Sequence, residues 1–236
     1  MHDLHVTKTG HGPPILVLHG LLSDHTQMAP VLPALKGYTI HLADLFGHGK
    51  SSKEPSASIV QENAAHLLSY CVEHNIHTVL AYSISSLVAL EMRLPNTIII
   101  AGFSRSPLSE GPLKKLYGKE ETIQQYVVRY REYIYAMLKR LHMNKLPGIS
   151  EADMACAVNY MIAARKSYEQ QAGELKRVLC IHGTKDQLIV PQLGEELARQ
   201  SSAQLVMVPE DHASVLGNPS THRAIKEFLE QTRFDS

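Results

Sequence analysis

The chain has 236 residues, which is enough for one sizeable core with a small insertion and too few for two comfortable domains. Lysine and arginine total 23, as do aspartate and glutamate, so the net charge is zero and a nucleic-acid partner is not predicted. No run of about 18 apolar residues occurs, which excludes a membrane-spanning helix. The N-terminus lacks the pattern of a signal peptide, and three widely spaced cysteines have no metal-ligand spacing, so we expect a cytoplasmic protein.

Short apolar runs alternate along the chain with longer segments of helical periodicity. After an edge strand at residues 4–8, buried strands are predicted at residues 15–19, 39–42, 78–82, 97–102, 178–182 and 204–208. Helices are predicted between them at residues 25–35, 58–73, 85–94, 191–200 and 220–231. This alternation predicts an α/β fold in which helices flank both faces of a mostly parallel sheet.

The alternation is interrupted once, between residues 105 and 176, where no convincing strand occurs. Helices are predicted there at residues 122–141 and 151–168. A helical insertion at this point predicts a small lid over the carboxyl edge of the sheet, where open α/β sheets place their active sites. We therefore predict a core formed by residues 1–104 and 177–236, with residues 105–176 as the lid.

A serine stands where the strand at 78–82 runs into the following helix. Ser83 has Ala81 two positions before it and Ser85 two positions after it. A nucleophile on such a strained turn needs small neighbours, and the usual pattern is Gly-x-Ser-x-Gly, so both glycines are replaced here by other small residues. The alternative is an ordinary turn in which Ser83 only caps the helix.

Two further polar residues follow later strands. Asp186 comes after the strand at 178–182, and His212 follows the last strand. The carboxyl ends of parallel strands meet at one sheet edge, so we expect both to lie near Ser83, in the chain order Ser, Asp, His that this arrangement uses. The turn after the first buried strand can direct the Leu21 N–H to the same place. The glycine-rich turn at 44–51 fits neither phosphate-binding pattern and is interpreted as structural.

Taken in order, these motifs resemble the α/β-hydrolase superfamily over residues 19–219. The general layout is similar to small-lid carboxylesterases, including the pimeloyl-[acyl-carrier-protein] methyl ester esterases of biotin synthesis. The resemblance implies a serine hydrolase for small to medium acyl esters or thioesters, without metal or cofactor. Its expected parts are Ser83 as nucleophile, His212 as base, Asp186 as the orienting acid, and the backbone N–H groups of Leu21 and Ile84 as the oxyanion hole.

Other functions remain open at this point. The same triad could serve a carbon–carbon hydrolase, a cofactor-free lyase or a cofactor-free haloperoxidase. A ligand-binding pseudo-enzyme is a further alternative, because the serine turn departs from the usual glycine pattern. An active-site-directed probe distinguishes the last alternative, since only an activated serine reacts quickly.

The insertion also suggests how a substrate is bound. Residues 105–176 contain twelve basic and eight acidic residues, so this segment is either a solvated surface or a docking face for an anionic partner such as an acyl-carrier protein. Tyr126 and Tyr130 share one helical face, which either packs in the core or roofs the acyl pocket. The predicted substrate contacts are these two tyrosines, Arg129, Tyr82 and His25.

Overall fold

The computed structural model describes residues 3–54, 56–107 and 151–232. Within these residues one sheet has the order β1-β3-β2-β4-β5-β6-β7. Only β1 runs antiparallel to its neighbour, β3, and every other strand pair is parallel. The strands are β1 (Val6–Gly10), β2 (Pro14–Leu18), β3 (Thr39–Ala43), β4 (Thr78–Tyr82), β5 (Asn96–Ile100), β6 (Arg177–Gly183) and β7 (Gln204–Val208). The predicted mostly parallel α/β sheet is confirmed.

Helices cover both faces of this sheet. They are α1 (Ile59–Glu73), α2 (Ser85–Met92), α3 (Glu151–Ala163), α4 (Glu169–Gly173), α5 (Pro191–Gln200) and α6 (Pro219–Thr232). Successive residues of β4 point to opposite faces: Ala81 belongs to the apolar cluster that includes α1 and α2, whereas Leu80 belongs to the cluster that includes α6. Both faces of the central strand are therefore buried, as expected for a parallel sheet. In the described part of the chain, no helix has the length and apolarity needed to cross a bilayer.

The segment predicted as an α-helix at residues 25–35 has a different geometry. It is a 3₁₀ helix over His25–Leu35, and the Asp24 carboxylate caps it by accepting the Thr26 N–H at 2.8 Å. Pro30 and Pro33 lie inside it. Proline has no backbone N–H and its ring clashes with the preceding turn, so two prolines three residues apart do not allow a regular α-helix here.

Only the two ends of the predicted lid are described, at residues 105–107 and 151–176. The helix predicted at 151–168 ends at Ala163, and the short α4 follows it. The Tyr168 N–H donates to the Ser104 carbonyl oxygen at 2.6 Å, which joins the two ends of the insertion. The helix predicted at 122–141 lies outside the described residues, and the division into core and lid remains a prediction.

The strand order determines which loops can share a site. Strands β4, β5, β6 and β7 are adjacent and parallel, so the loops that leave their carboxyl ends open onto one edge of the sheet. Ser83 follows β4, Asp186 follows β6 and His212 follows β7. The topology therefore places all three residues at the same edge.

Candidate active site

Ser83 lies on a sharp turn between β4 and α2. Its φ of 58° is in the left-handed region, which residues other than glycine rarely adopt. The Ser83 N–H donates to the Ile100 carbonyl oxygen of β5 at 2.9 Å, which fixes the turn to the sheet. Ala81 and Ser85 are both fully buried. A larger side chain at either position would have no space, which explains the need for small residues.

Ser85, which stands where the usual pattern has a glycine, contributes hydrogen bonds of its own. Its Oγ accepts the Tyr82 N–H at 2.8 Å. The hydroxyl can donate to the Tyr82 carbonyl oxygen at 2.9 Å or to the Leu18 carbonyl oxygen at 3.2 Å. The replacement thus ties the turn to the end of β2. Sequence reasoning recognised Ser85 only as a small residue.

A hydrogen-bonded chain connects Ser83, His212 and Asp186. The Ser83 Oγ lies 3.0 Å from the His212 Nε2, and the His212 Nδ1 lies 2.6 Å from the Asp186 Oδ2. A carboxylate only accepts, so Nδ1 carries the hydrogen and Nε2 presents its lone pair to the serine hydroxyl. The second carboxylate oxygen of Asp186 accepts the Leu188 and Ile189 N–H groups, each at 2.9 Å, which holds the carboxylate in this orientation.

The neighbouring carboxylate, Asp211, is engaged elsewhere. Its Oδ1 accepts the N–H groups of Ala213 at 3.0 Å and Ser214 at 2.8 Å. These bonds hold the backbone that leads into the 3₁₀ turn over Ser214–Gly217. The bond from Ser214 in particular lowers the pKa of Asp211, although partial burial opposes the shift. Asp211 directly precedes His212 in the sequence and is the alternative candidate for the acid. Of Asp186 and Asp211, only Asp186 is hydrogen-bonded to the His212 imidazole in the described structure.

Tyr82, which was predicted to contact substrate, is hydrogen-bonded to the backbone of His212. Its hydroxyl donates to the His212 carbonyl oxygen at 2.8 Å, and the two rings lie 5.1 Å apart between centroids. The side chain is only 2% exposed, and burial raises its pKa well above the usual range. The hydroxyl that would bind substrate is therefore already engaged, and the contacts describe a residue that positions the histidine loop.

A second buried histidine lies behind Asp186. The His182 Nε2 donates to the Ile189 carbonyl oxygen at 2.8 Å and lies 3.5 Å from the Asp186 Oδ2. Burial lowers the pKa of His182 and keeps it neutral. Gly194 of α5 makes room for the ring, because a Cβ there would lie 2.2 Å from the His182 Nδ1. A glycine inside a helix costs about 1 kcal/mol relative to alanine, so Gly194 was a signal of close packing that sequence reasoning missed.

Two backbone N–H groups of the predicted site are unpaired in the described part of the chain. Neither the Leu21 N–H nor the Ile84 N–H has a hydrogen-bond partner among residues 3–54, 56–107 and 151–232. The Leu22 N–H, in contrast, donates to the His48 Nε2 at 2.9 Å. Burial, and secondly the nearby His19, lower the pKa of His48 to about 3, so this ring is neutral. Leu21 and Ile84 are the two residues predicted to form an oxyanion hole.

His25, another predicted substrate contact, is paired with Asp44. The Asp44 Oδ1 accepts both the His25 backbone N–H at 2.8 Å and the His25 Nδ1–H at 2.7 Å, and its Oδ2 accepts the Lys50 N–H at 2.9 Å. Burial opposes ionisation of Asp44, but these donors lower its pKa. His5, His25 and Asp44 have metal-ligand atoms within 4.8 Å of one another. The Asp44 carboxylate already accepts three N–H groups, two from His25 and one from Lys50. We therefore interpret it as a structural residue that holds the 44–51 turn.

The remaining predicted substrate contacts lie in the insertion. Tyr126, Arg129 and Tyr130 are outside the described residues, so their relation to the site remains a prediction. The same holds for most of the basic residues between 105 and 176 that could dock a carrier protein. In the described part, Arg105 forms an ion pair with Glu196 of α5.

A comparison with known proteins shows the family of the chain. The family model described as "Alpha/beta hydrolase family" matches residues 15–224, a span that contains Ser83, Asp186 and His212. The chain belongs to the alpha/beta hydrolase family. None of the curated proteins matches the sequence at a significant level. The predicted superfamily resemblance is confirmed.

Solved structures of this hydrolase family have the same fold at low identity. The enol-lactonase from Burkholderia xenovorans has a TM-score of 0.74 at 19% identity, and the match covers 97% of each chain. A thermophilic esterase from Thermogutta terrifontis has a TM-score of 0.73 at 20% identity, covering 98% of this chain and 94% of that one. A putative non-heme bromoperoxidase from Mycobacterium tuberculosis has a TM-score of 0.71 at 17% identity, with 97% and 96% covered. At these identities the likeness concerns the fold alone.

The neutral state of His48 predicts how stability depends on pH. The folded chain holds its pKa near 3, against 6.5 for an unperturbed histidine, so between these values only the unfolded chain binds the proton. The free energy of unfolding should therefore fall as the pH drops below 6.5, with up to about 1.4 kcal/mol per pH unit from this group. Urea unfolding of the wild type and of His48→Gln should show a shallower slope for the variant between pH 6 and 4. Above pH 7 the two curves should run parallel, and equal slopes below pH 6 would contradict the assignment.

Proposed function

We propose that the chain is a serine hydrolase that cleaves carboxylic ester or thioester bonds of small to medium acyl substrates. The observation that carries the proposal is the chain of contacts from the strained Ser83 through His212 to Asp186, at 3.0 and 2.6 Å. The structural neighbours named as an esterase and as an enol-lactonase support an ester-type substrate. All three reactive groups come from the chain's own side chains.

In the proposed first half-reaction, the Ser83 Oγ attacks the acyl carbon while its proton passes to the His212 Nε2. A serine hydroxyl is too weakly acidic to attack unaided, and the imidazole within hydrogen-bond reach supplies the base. Asp186 holds the productive tautomer and stabilises the imidazolium without taking its proton. Collapse of the tetrahedral intermediate breaks the acyl–oxygen or acyl–sulfur bond, and His212 returns the proton to the leaving alcohol or thiol.

The negative oxygen of the tetrahedral intermediate needs donors that are already in place. We assign this role to the Leu21 and Ile84 N–H groups, which have no other partner among the described residues. Ile84 directly precedes α2, whose positive end also favours a negative charge there. In the second half-reaction, water loses a proton to His212 and attacks the acyl-enzyme. The acyl bond to Ser83 breaks, His212 returns the proton to the Ser83 Oγ, and the carboxylic acid leaves.

The finer identity of the substrate remains a hypothesis based on the sequence. A methyl ester carried by an acyl-carrier protein would suit the basic excess of residues 105–176, most of which lie outside the described part. A cytoplasmic location is proposed with it. Cys71, Cys156 and Cys180 are all buried and free, which is compatible with a reducing compartment.

Removing the Ser83 hydroxyl tests the nucleophile. Ser83→Ala should lower kcat by roughly 10⁴–10⁶, the scale seen when a triad nucleophile is lost, because the acyl-enzyme cannot form. The assay is hydrolysis of p-nitrophenyl esters and acyl thioesters of graded chain length, which also identifies the preferred acyl group. Ser52→Ala, in the loop after β3, serves as the matched serine control and should retain wild-type rates.

Different outcomes of this panel favour different functions. Near-normal ester hydrolysis by Ser83→Ala would disprove the assignment of the nucleophile. Absence of turnover by the wild type on every ester and thioester would instead favour the pseudo-enzyme or a carbon–carbon bond-cleaving function. Circular dichroism of each variant, on the same preparation that is assayed, checks that the protein is folded.

Two neighbouring carboxylates provide a matched test of the acid. Asp186→Asn should lower kcat by roughly 10²–10⁴, because an amide at this position favours the wrong imidazole tautomer. Asp211→Asn should leave kcat close to the wild-type value, since asparagine can still accept the N–H groups that Asp211 caps. Steady-state kinetics on one p-nitrophenyl ester compares the two. If Asp211→Asn lowers kcat more than Asp186→Asn does, the assignment of Asp186 as the acid is wrong.

A further inference from the structure

The loop that carries the Leu21 N–H is held on both sides of that group. We call residues 19–22 the oxyanion loop. Before Leu21, the Gly20 N–H donates to the Gln27 Oε1 at 2.7 Å. After it, the Leu22 N–H donates to the His48 Nε2 at 2.9 Å. The Leu21 N–H between them has no hydrogen-bond partner among the described residues, so it is free to bind a ligand.

The His48 ring can accept the Leu22 N–H only in one tautomer, and its surroundings select it. The His48 Nδ1 lies 3.1 Å from the Phe46 carbonyl oxygen, which can only accept, so Nδ1 carries the hydrogen and Nε2 the lone pair. The side chain is buried, and burial together with His19 holds its pKa near 3. His48 is therefore a neutral acceptor at neutral pH.

The ring is also fixed in place by its neighbours. The His48 ring meets the edge of the Tyr160 ring at 5.3 Å and the edge of the His19 ring at 5.2 Å, between centroids. The Tyr160 hydroxyl donates to the same Phe46 carbonyl oxygen at 3.1 Å and accepts from the Asn63 Nδ2 at 2.8 Å. Tyr160 belongs to α3, so this helix packs directly behind the residue that holds the oxyanion loop.

Leu22 needs such an anchor because its own backbone is strained. Its φ of 58° lies in the left-handed region, which is unfavourable for leucine. Without an acceptor at the His48 position, the Leu22 N–H would lose its bond and the preceding peptide could rotate toward a relaxed conformation. That rotation would change the direction of the loop that carries the Leu21 N–H.

We propose that His48 is a positioning residue of the oxyanion hole, which fixes the Leu21 N–H through its hydrogen bond to the next amide. The inference rests on the proposed function, because it concerns the donor to the tetrahedral intermediate. His48 does not touch the substrate and exchanges no proton during the reaction. Its contribution is confined to the transition state, since a donor preorganised for the oxyanion favours the intermediate more than the bound ester.

The test compares His48→Leu, which has no acceptor, with His48→Gln, whose side-chain oxygen can reach the position of Nε2. With p-nitrophenyl acetate as the substrate, His48→Leu should lower kcat by about 10- to 100-fold with little change in KM, somewhat less than the loss of an oxyanion donor itself. Binding of phenylboronic acid, which forms a tetrahedral adduct with the serine, should weaken in parallel. His48→Gln should recover most of both losses.

The matched control is His41→Leu, which removes another buried histidine. His41 lies in β3, and its ring is hydrogen-bonded to the Tyr70 hydroxyl of α1. This variant should keep the wild-type kcat, boronic acid affinity and Leu22 amide exchange. In His48→Leu, hydrogen exchange of the Leu22 amide, followed by NMR, should become faster. The apparent pKa of kcat/KM should stay unchanged in every variant, because the contacts of His212 are intact.

The outcomes separate this inference from the proposed function. If the wild type is active and His48→Leu keeps its kcat and its boronic acid affinity, the role of His48 is overturned and the proposed function is not. Equal losses in His41→Leu, or a loss that His48→Gln does not recover, also overturn it, because they indicate a general structural defect. A wild type that neither hydrolyses p-nitrophenyl acetate nor binds phenylboronic acid overturns the proposed function, and this inference with it.

Discussion

The left-handed turn at Ser83 is the constraint on which the rest of the site depends. An L-residue in this region costs roughly 1–2 kcal/mol, so the turn persists only because the fold holds it from several sides. The Ile100 carbonyl oxygen accepts the Ser83 N–H. The Ser85 Oγ accepts the Tyr82 N–H just before the turn and can donate to the Leu18 carbonyl oxygen of β2. In return, the turn brings the Ser83 Oγ within reach of His212, and the Ile84 N–H has no partner within the part of the chain that the structure describes. A relaxed turn would remove both features together.

The histidines near this edge are all buried but have different hydrogen-bond partners. His19, His48 and His182 each donate one ring N–H to a carbonyl oxygen, and burial lowers the pKa of all three. They are neutral parts of the scaffold. His212 instead donates to the carboxylate of Asp186 and faces a hydroxyl. In the proposed mechanism this pairing orients the His212 imidazole to take the serine proton.

Much of this arrangement could be predicted from the sequence, because strand periodicity and the order of polar residues after strands determine which loops meet. The parallel sheet and the meeting of Ser83, Asp186 and His212 follow from that rule. What could not be predicted depends on side chains that meet in three dimensions. The Tyr82 hydroxyl reaches the His212 carbonyl oxygen across 130 positions of the chain, and no local pattern indicates it. The 3₁₀ geometry at His25–Leu35 did have a local signal in its two prolines, which periodicity alone overlooked.

The central claim is that Ser83 is activated by its surroundings as a nucleophile. Reaction of the native protein with a fluorophosphonate, followed by intact mass and peptide mapping, tests this most directly because it needs no knowledge of the substrate. We expect one rapid adduct per chain, located on Ser83, and a much slower reaction in a variant that lacks the His212 imidazole. An adduct on a different residue, or no reaction by a folded protein under conditions that label other serine hydrolases, would contradict it.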